Sequence, residues 1–323
     1  ELSKTYDLTT VQPDADRIDP TADLLVLFHP RNMSDTIAFA VDQNILGGGN
    51  AIIFADPLSL MDEPRMGPGG SIPERLFKAW GITMETGKAV VDYTYATQLR
   101  NRNNQVESNP MWLSAPASAF FAGNLITANL ESMLLPVAGA IEKLPDSVYT
   151  VEPLVQSSTN SVKVDAFSHN MNVNAIRRDF KPSGTIHNLA VRISGTFKTA
   201  FPDGKPEAEA KAGEPASETD AKVAEAPLKE GKATSVIVVV ADSDLLYDGY
   251  YLSQQNLLGF TISNIFNDNL NFMLNASEML TGNPALISIR SRGTFERPFT
   301  RVQELERKAQ DRWLDQEQVL VRQ

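Results

Sequence analysis

The amino-acid sequence predicts an α/β fold built on a Rossmann-like, open and mainly parallel sheet with helices on both faces. Short uninterrupted apolar runs recur at residues 24–28, 51–55 and 235–241, and such runs are typical of strands buried on both faces. A helix-forming segment separates the first two runs, and the order strand, helix, strand favours a parallel βαβ unit. Additional short strands and a C-terminal helical tail are also expected.

The first βαβ unit can be assigned in detail. The strand at 24–28 is followed by a helix that Ser34 is placed to cap. Three glycines at 47–49 end this helix, because glycine readily adopts the left-handed conformation that terminates helices. The second strand, 51–55, follows at once and is closed by Asp56.

The remaining elements are predicted from apolar periodicity and from the turn residues between the segments. Ser71 and Glu74 have the spacing of a capping box, which predicts that a helix begins there. The other predicted elements are strands at 89–92, 134–141 and 189–195, a helix at 262–280 and a closing strand at 286–290.

The sequence is expected to form one α/β domain in two parts, 1–204 with a strand-rich middle segment and 233–298. Between them, 205–232 is an acidic stretch of Ala, Glu, Lys and Pro without aromatic residues, so it has too little apolar surface to offset the entropy of ordering. It is predicted to be a disordered insertion. Residues 299–323 are charged with a weak apolar seam, which predicts a helical stalk capable of weak self-association.

Composition excludes several classes of function. The 29 basic and 40 acidic residues give a net charge of −11, which repels nucleic-acid backbones and anionic lipid surfaces. The absence of cysteine excludes disulfides, thiolate metal sites and cysteine nucleophiles. The three histidines have no metal-ligand spacing, so neither a metal nor any other cofactor is expected.

No segment of the sequence is apolar enough to predict a membrane span. The longest charge-free stretch, 108–130, is interrupted by Pro, Asn and Gly, whereas a span needs about 20 mainly apolar residues. The sequence begins without a signal-like apolar block and ends within a charged helical pattern. We therefore expect a piece of a longer protein, with any membrane segments outside this sequence.

Four polar residues are candidates for a ligand or partner pocket. His29, Asp56 and Asp242 each follow a predicted parallel strand, and Asp244 lies two residues beyond Asp242. Open α/β sheets place their ligands at the carboxyl ends of the strands. The alternative is that these side chains bind backbone amides in ordinary turns.

The pattern Asp242-x-Asp244 after an apolar strand also resembles the nucleophile motif of haloacid-dehalogenase-type phosphatases, in which one carboxylate attacks phosphorus and the other transfers a proton. In that family the motif lies on the first strand. Here it comes late in the chain, and no paired acidic motif follows it. The position therefore argues against this interpretation.

Short sequence blocks occur in a specific order. They are 2–6, Ile18-Asp19-Pro20 before 23–27, 46–57, Trp80-Gly81-Ile82 before 90–92, 238–244, the asparagine-rich segment 267–275, Leu280-Thr281-Gly282 and 286–290. In this order the blocks resemble the extracytoplasmic domain of the GldG family. Members of that family are auxiliary components of an ABC transport system associated with gliding motility in some bacteria. The resemblance covers nearly the whole chain except 205–232.

The resemblance implies a Rossmann-like domain on the periplasmic or extracytoplasmic face of the cytoplasmic membrane, anchored by segments outside this sequence. It also implies permease and ATPase subunits of an ABC transporter as partners, and no catalytic residues can be transferred from it. We therefore expect a non-enzymatic binding or scaffolding domain. The alternative is a metal-dependent hydrolase that uses the strand-end carboxylates Asp56, Asp242 and Asp244.

Overall fold

The computed structural model describes residues 2–13, 15–62, 70–100, 104–171, 173–206, 226–257 and 260–282. Its helices are α1 (Asp35–Leu46), α2 (Glu74–Ala79), α3 (Ala166–Met171), α4 (Val173–Asp179) and α5 (Asn269–Leu280). Its strands are β1 (Leu25–Phe28), β2 (Ala51–Phe54), β3 (Ile82–Met84), β4 (Lys88–Asp92), β5 (Ala96–Arg100), β6 (Val106–Pro116), β7 (Ser132–Pro136), β8 (Ile141–Lys143), β9 (Thr150–Gln156), β10 (Ser161–Asp165), β11 (Asn188–Gly195), β12 (Ser235–Val240), β13 (Leu252–Leu257) and β14 (Phe260–Ile265). The predicted strand at 286–290 and the predicted stalk at 299–323 lie outside the described residues.

Within the described part of the chain, the main sheet contains seven strands. Six are in the order β1-β2-β12-β11-β8-β3, and β9 is also paired to β11. The pairs β1–β2 and β2–β12 are parallel. All the pairs formed by β11 and β8 are antiparallel. The predicted α/β class is confirmed as a mixed, strand-rich fold, but the prediction of a mainly parallel sheet is wrong. A strand pattern such as that of 189–195, which alternates only in part, indicates a strand and does not reveal the direction of the neighbouring strand.

The parallel strands contribute side chains to two apolar clusters. Ile53 and Val239 belong to a cluster that includes residues of α1 and α2. Ile52 and Val238, one position earlier in each strand, belong to a second cluster that includes residues of α5. Successive side chains of a strand point to opposite faces, so both faces of β2 and β12 are buried and the carboxyl ends of these two strands are firmly positioned.

Helix α1 has the boundaries that the sequence predicts. The Ser34 hydroxyl accepts a hydrogen bond from the Ile37 amide at 3.4 Å, as an N-cap residue does. Gly48, just after the helix, has a φ of +104°, which a residue with a side chain rarely adopts. No helix among the described residues is long and apolar enough to cross a membrane.

Three boundaries differ from the prediction. Helix α2 is capped by Pro73 without a side-chain bond, so the predicted capping box is absent. The strand predicted at 134–141 is split into β7 and β8, because the chain bends at Val137, which has a φ of +60°. The helix predicted from 262 begins only at Asn269, since the aromatic and β-branched residues of 260–265 form strand β14 instead.

The end of the predicted insertion contacts helix α1. The Leu228 amide donates to Gln43 Oε1 at 2.7 Å, and Gln43 Nε2 donates back to the Leu228 carbonyl at 3.0 Å. The Lys232 amide donates to the Leu46 carbonyl at 2.8 Å. Residues 226–232 therefore take part in the fold, while 207–225 lie outside the described residues.

Candidate functional site

Asp56 and Asp242 follow two adjacent parallel strands at equivalent positions. Phe54 of β2 is paired with Val240 of β12, and each aspartate comes two residues after its member of this pair. The Ala55 amide donates to the Val240 carbonyl at 3.0 Å, so the pairing continues past the strand ends. Both side chains are fully buried. The strand register therefore places the two carboxyl groups side by side at one edge of the sheet.

Asp244 completes a cluster of three carboxyl groups. It begins a short 3₁₀ helix, Asp244–Leu246, and is also buried. One oxygen from each of Asp56, Asp242 and Asp244 lies within 4.8 Å of the other two. Three of the four residues singled out from the sequence are thus brought together, and we refer to them below as the strand-end cluster.

Both carboxylate oxygens of Asp56 accept hydrogen bonds. Its Oδ1 accepts from the Leu58 amide at 2.8 Å, which closes the turn after β2. Its Oδ2 accepts from the Ser243 amide at 2.9 Å and from the Ser243 hydroxyl at 2.8 Å. Asp56 therefore stabilises two loops, the one after β2, to which it belongs, and the one after β12.

Asp244 forms the reciprocal connection. Its Oδ1 accepts from the Ser59 hydroxyl at 2.7 Å, and its Oδ2 accepts from the Leu60 amide at 2.6 Å. Ser59 and Leu60 belong to the loop after β2, whereas Asp244 belongs to the loop after β12. Each loop thus supplies a carboxylate that binds donors of the other, and the two loops are fixed together above the sheet edge.

Among the described residues, only one of the two carboxylate oxygens of Asp242 has a hydrogen-bond partner. Its Oδ1 accepts from the Leu245 amide at 3.1 Å. Its Oδ2 is buried and has no hydrogen-bond partner among the described residues. A buried oxygen without a partner is uncommon in proteins and indicates a missing ligand or a proton.

Asp92 shows that a buried aspartate at a strand end can be fully bonded here. It ends β4 and is fully buried. Its Oδ1 accepts from the Thr94 amide and the Ser158 hydroxyl, both at 2.8 Å, and its Oδ2 accepts from the Ser158 amide at 2.6 Å. The unpartnered oxygen of Asp242 is therefore not a general feature of strand-end aspartates in this chain.

His29 lies at the rim of the strand-end cluster and not within it. Its Nδ1 is 3.3 Å from the Ser243 hydroxyl oxygen, and its Nε2 is 3.3 Å from Asp62 Oδ1. Arg31 donates to the other oxygen of Asp62 at 2.7 Å. His29 lies at the same edge of the sheet, as its position after a predicted strand indicated. Its ring is within hydrogen-bond distance of Ser243 and Asp62 in the surrounding loops.

Burial raises the pKa of all three carboxyl groups, and the charge of a neighbouring aspartate adds to the effect for Asp56 and Asp242. Burial, followed by the negative charge of Asp244, raises the pKa of Asp56 to about 7. Burial and the charges of Asp56 and Asp244 raise the pKa of Asp242 well above its usual range. Burial also raises the pKa of Asp244, although its bonds from Leu60 and Ser59 and the nearby His29 act in the opposite direction.

The charges of the cluster also influence the pKa of a neighbouring tyrosine, Tyr250. Burial, followed by the charges of Asp244 and Asp242, raises the pKa of Tyr250 to about 12. The Tyr250 ring lies edge-on to Trp112, with 5.1 Å between the ring centroids. Among the described residues, no lysine or arginine forms an ion pair with any of the three carboxylates. The strand-end cluster therefore has an excess of negative charge or holds protons.

The arrangement suits an ion better than an organic substrate. Two surface cavities are described, of about 320 Å³ and 240 Å³, and no cluster residue lines either of them. The larger cavity is lined by Val162, Lys163, Val164, His169, Ile176, Phe180 and Lys181. Three buried carboxylates can bind a cation or share protons, and these are the chemical roles that the geometry supports.

Sequence reasoning missed the residues that support the cluster. Ser59 donates a hydrogen bond to Asp244, and Ser243 donates one to Asp56. The negative charges of Asp244 and Asp242 contribute to the raised pKa of Tyr250. The position of Ser243 could have indicated its role, because it lies between the two aspartates of the Asp-x-Asp pattern. Ser59 lies in a loop and Tyr250 in a short 3₁₀ helix, Asp248–Tyr250, and neither segment has a periodic pattern that would indicate these residues.

No curated protein matches this chain. A family model described as "ABC-type uncharacterized transport system" matches residues 1–276, which include the whole main sheet, the strand-end cluster and most of α5. This match agrees with the expectation of an ABC transport component, and it covers well over half of the chain. The chain therefore belongs to this family and is an auxiliary component of an ABC-type transport system.

Proposed function

We propose that the chain is a non-enzymatic binding or scaffolding domain of a membrane-anchored auxiliary subunit in this transport system. The observation that carries the proposal is the family match over 1–276. Within the family we assign the chain to the GldG type, on the extracytoplasmic side of the membrane. A role in gliding motility, and permease and ATPase subunits as partners, belong to the same proposal.

The burial of the carboxyl groups supports a non-enzymatic role. Asp56 and Asp242 have no exposed surface and Asp244 has 2%. General acid, base or nucleophilic catalysis requires the reacting group to reach its substrate within hydrogen-bond distance. The carboxylates instead join two loops through bonds to Ser59, Leu60 and Ser243. They are therefore better suited to shaping the sheet edge than to acting on a substrate.

Strand β1 offers a surface for a partner subunit. Among the described strands it pairs only with β2, and its Val26 and Phe28 are 40% and 53% exposed. An apolar edge strand presents unpaired backbone groups and apolar side chains, which is typical of a protein-binding surface. We propose that this edge contacts the permease subunit of the transporter.

Co-purification from membranes tests the proposal. The tagged full-length protein should be expressed in its native cells, and we expect a permease and an ATPase to be recovered with it after detergent extraction. Val26→Lys places a charge on β1 and is expected to reduce recovery of the permease at least tenfold. Val148→Lys is the control, because Val148 is 85% exposed and lies outside β1.

Two outcomes would count against the proposal. If neither subunit is recovered with the unmodified protein, the scaffolding function is wrong. If Val26→Lys and Val148→Lys are recovered with equal amounts of permease, β1 is not the contact surface.

A metal-dependent hydrolase is the second candidate, favoured by the convergence of Asp56, Asp242 and Asp244. Assays of phosphate and glycosidic esters with Mg²⁺, Mn²⁺ and Ca²⁺ distinguish the two functions. We expect no turnover above the level without protein. Metal-dependent turnover that disappears in Asp242→Asn would replace the scaffolding proposal with an enzyme.

A further inference from the structure

We propose that the strand-end cluster binds one hard divalent cation, with Asp56, Asp242 and Asp244 as its protein ligands. The ion would join the loop after β2 to the loop after β12. This inference is independent of the scaffolding function, because it depends only on the geometry of the three carboxyl groups.

The spacing of the carboxylate oxygens fits a single ion. One oxygen from each aspartate lies within 4.8 Å of the others. Calcium binds oxygen at about 2.3–2.6 Å, so three ligands spread evenly around it are about 4.0–4.5 Å apart. Magnesium binds at about 2.1 Å, which brings three such ligands to about 3.6 Å. The spacing in the cluster is therefore closer to that of a calcium site, and a magnesium site would require the carboxylates to move together.

The unpartnered oxygen of Asp242 is the second observation that points to a ligand. Asp242 has no exposed surface, and its Oδ2 has no hydrogen-bond partner among the described residues. Leaving such an atom unsatisfied costs about 1–3 kcal/mol, and more for a charged group. A bound cation would satisfy this oxygen, whereas the equivalent atoms of Asp92 are already satisfied by Thr94 and Ser158.

The charge balance of the site also favours a cation. Buried charges in proteins are paired with an opposite charge or coordinate a metal. None of the three carboxylates has a lysine or arginine partner within the described part of the chain. His29 is close, but it is hydrogen-bonded to Asp62 and Ser243 at the rim.

The ligand type decides the class of ion. All three candidate ligands are carboxylates, and neither histidine nor sulfur belongs to the cluster. Oxygen ligands suit Ca²⁺, Mg²⁺ and Mn²⁺, whereas zinc sites usually include nitrogen or sulfur. Bonds from Leu58, Ser59 and Leu60 fix the carboxylates of Asp56 and Asp244, as outer-shell donors do in metal sites.

Calorimetric titration of the metal-free chain tests the proposal. The protein, dialysed first against EDTA and then against buffer at pH 8, should be titrated separately with Ca²⁺ and Mg²⁺, with long equilibration because the cluster is buried. We expect one ion per chain and a rise in Tm of several degrees at saturation. Terbium, a luminescent substitute for calcium, should be sensitised by Tyr250 and Trp112 and displaced by Ca²⁺.

Two variants locate the site. Asp242→Asn is expected to weaken binding at least 100-fold and to abolish the terbium signal. Asp42→Asn is the matched control, because Asp42 is also buried but both its oxygens are bonded, to Thr199 Oγ1 at 2.6 Å and to the Ala200 amide at 2.8 Å. This control should bind as the unmodified chain does. If Asp242→Asn does not fold, Asp244→Asn replaces it with the same expected loss.

Either of two results would overturn the proposal. Absence of stoichiometric binding by the unmodified chain at millimolar Ca²⁺ and Mg²⁺ would show that the cluster holds shared protons. Equal losses in Asp42→Asn and Asp242→Asn, or no loss in either, would place the bound ion elsewhere.

Discussion

Asp56 and Asp242 lie side by side at the edge of the sheet, each two residues beyond the paired residues Phe54 and Val240. They are far apart in sequence and are brought together by the parallel pairing of β2 with β12. Asp56 is bonded on both of its oxygens, whereas Asp242 is bonded on one. This asymmetry makes Asp242 the residue whose substitution is most informative.

The pH dependence of stability should reveal the buried cluster. The pKa of Asp56 is about 7 in the folded protein against an ordinary value of 3.8, so the folded state binds more protons than the unfolded state between these values. Its contribution is fully present below pH 3.8 and is lost as the pH rises to about 7. In EDTA, the free energy of unfolding should therefore fall by about 2 kcal/mol between pH 5 and pH 7.

Urea denaturation across this pH range measures the effect. Asp56→Asn removes the titrating group, so its stability should change less with pH than that of the unmodified chain. Asp242 and Asp244, whose pKa values are also raised, face the same site and contribute to the remaining slope. A slope unchanged by Asp56→Asn would contradict the raised pKa.

Asp242→Asn should have opposite effects with and without a bound cation. In EDTA at pH 7 we expect it to stabilise the fold by about 1 kcal/mol, because it removes an ionisable group whose negative charge is disfavoured by burial and its new amide can donate to a neighbouring carboxylate. Its Oδ1 can still accept from Leu245. In saturating Ca²⁺ the unmodified chain should be the more stable of the two. Thermal unfolding of both proteins in each buffer checks the reversal, and the same order in both buffers would contradict it.

Ser59→Ala should weaken the connection between the two strand-end loops. The Ser59 hydroxyl donates to Asp244 Oδ1 at 2.7 Å, and loss of a hydrogen bond to a carboxylate costs about 1.5–3 kcal/mol. Ser71→Ala is a matched control, because the Ser71 hydroxyl is buried without a partner among the described residues. Urea denaturation should show a loss of stability in the first variant and little change in the second. Equal stability of the two variants would mean that the Ser59 bond contributes nothing.

A further prediction concerns the part of the predicted insertion that lies outside the described residues. Residues 207–225 are expected to be dispensable because of their low apolar content, and their deletion should leave the free energy of unfolding unchanged. Trypsin should cut at Lys211 and Lys222 before Lys229, since the Lys229 carbonyl accepts from the Thr199 amide at 3.0 Å. Cleavage at Lys229 first, or a large loss of stability on deletion, would contradict this prediction.

The sequence predicts the elements that local patterns determine. The apolar runs identify β1, β2 and β12, and Ser34 and Gly48 identify the ends of α1. The closeness of Asp56 and Asp242 also follows, because equivalent positions after parallel strands share one edge. These features depend on residues close together in the chain or on one rule of sheet topology.

Features that depend on distant partners could not be predicted. Strand β11 is predicted as a strand from its partial alternation, but its antiparallel direction depends on its pairing with β12, β9 and β8. The bond from Ser59 to Asp244 joins loops separated by most of the sequence. The unpartnered Oδ2 of Asp242 depends on which donors reach it in three dimensions, and periodicity holds no information on that.

The most direct test of a cation at the strand ends is a crystal structure of the chain grown with Mn²⁺, with diffraction data collected at the manganese absorption edge. We predict one anomalous peak at bonding distance from an oxygen of each of Asp56, Asp242 and Asp244, with Asp242 Oδ2 among the ligands. A map without a peak there, with carboxyl oxygens of Asp56 and Asp242 at hydrogen-bond distance from each other, would contradict it and show a shared proton instead.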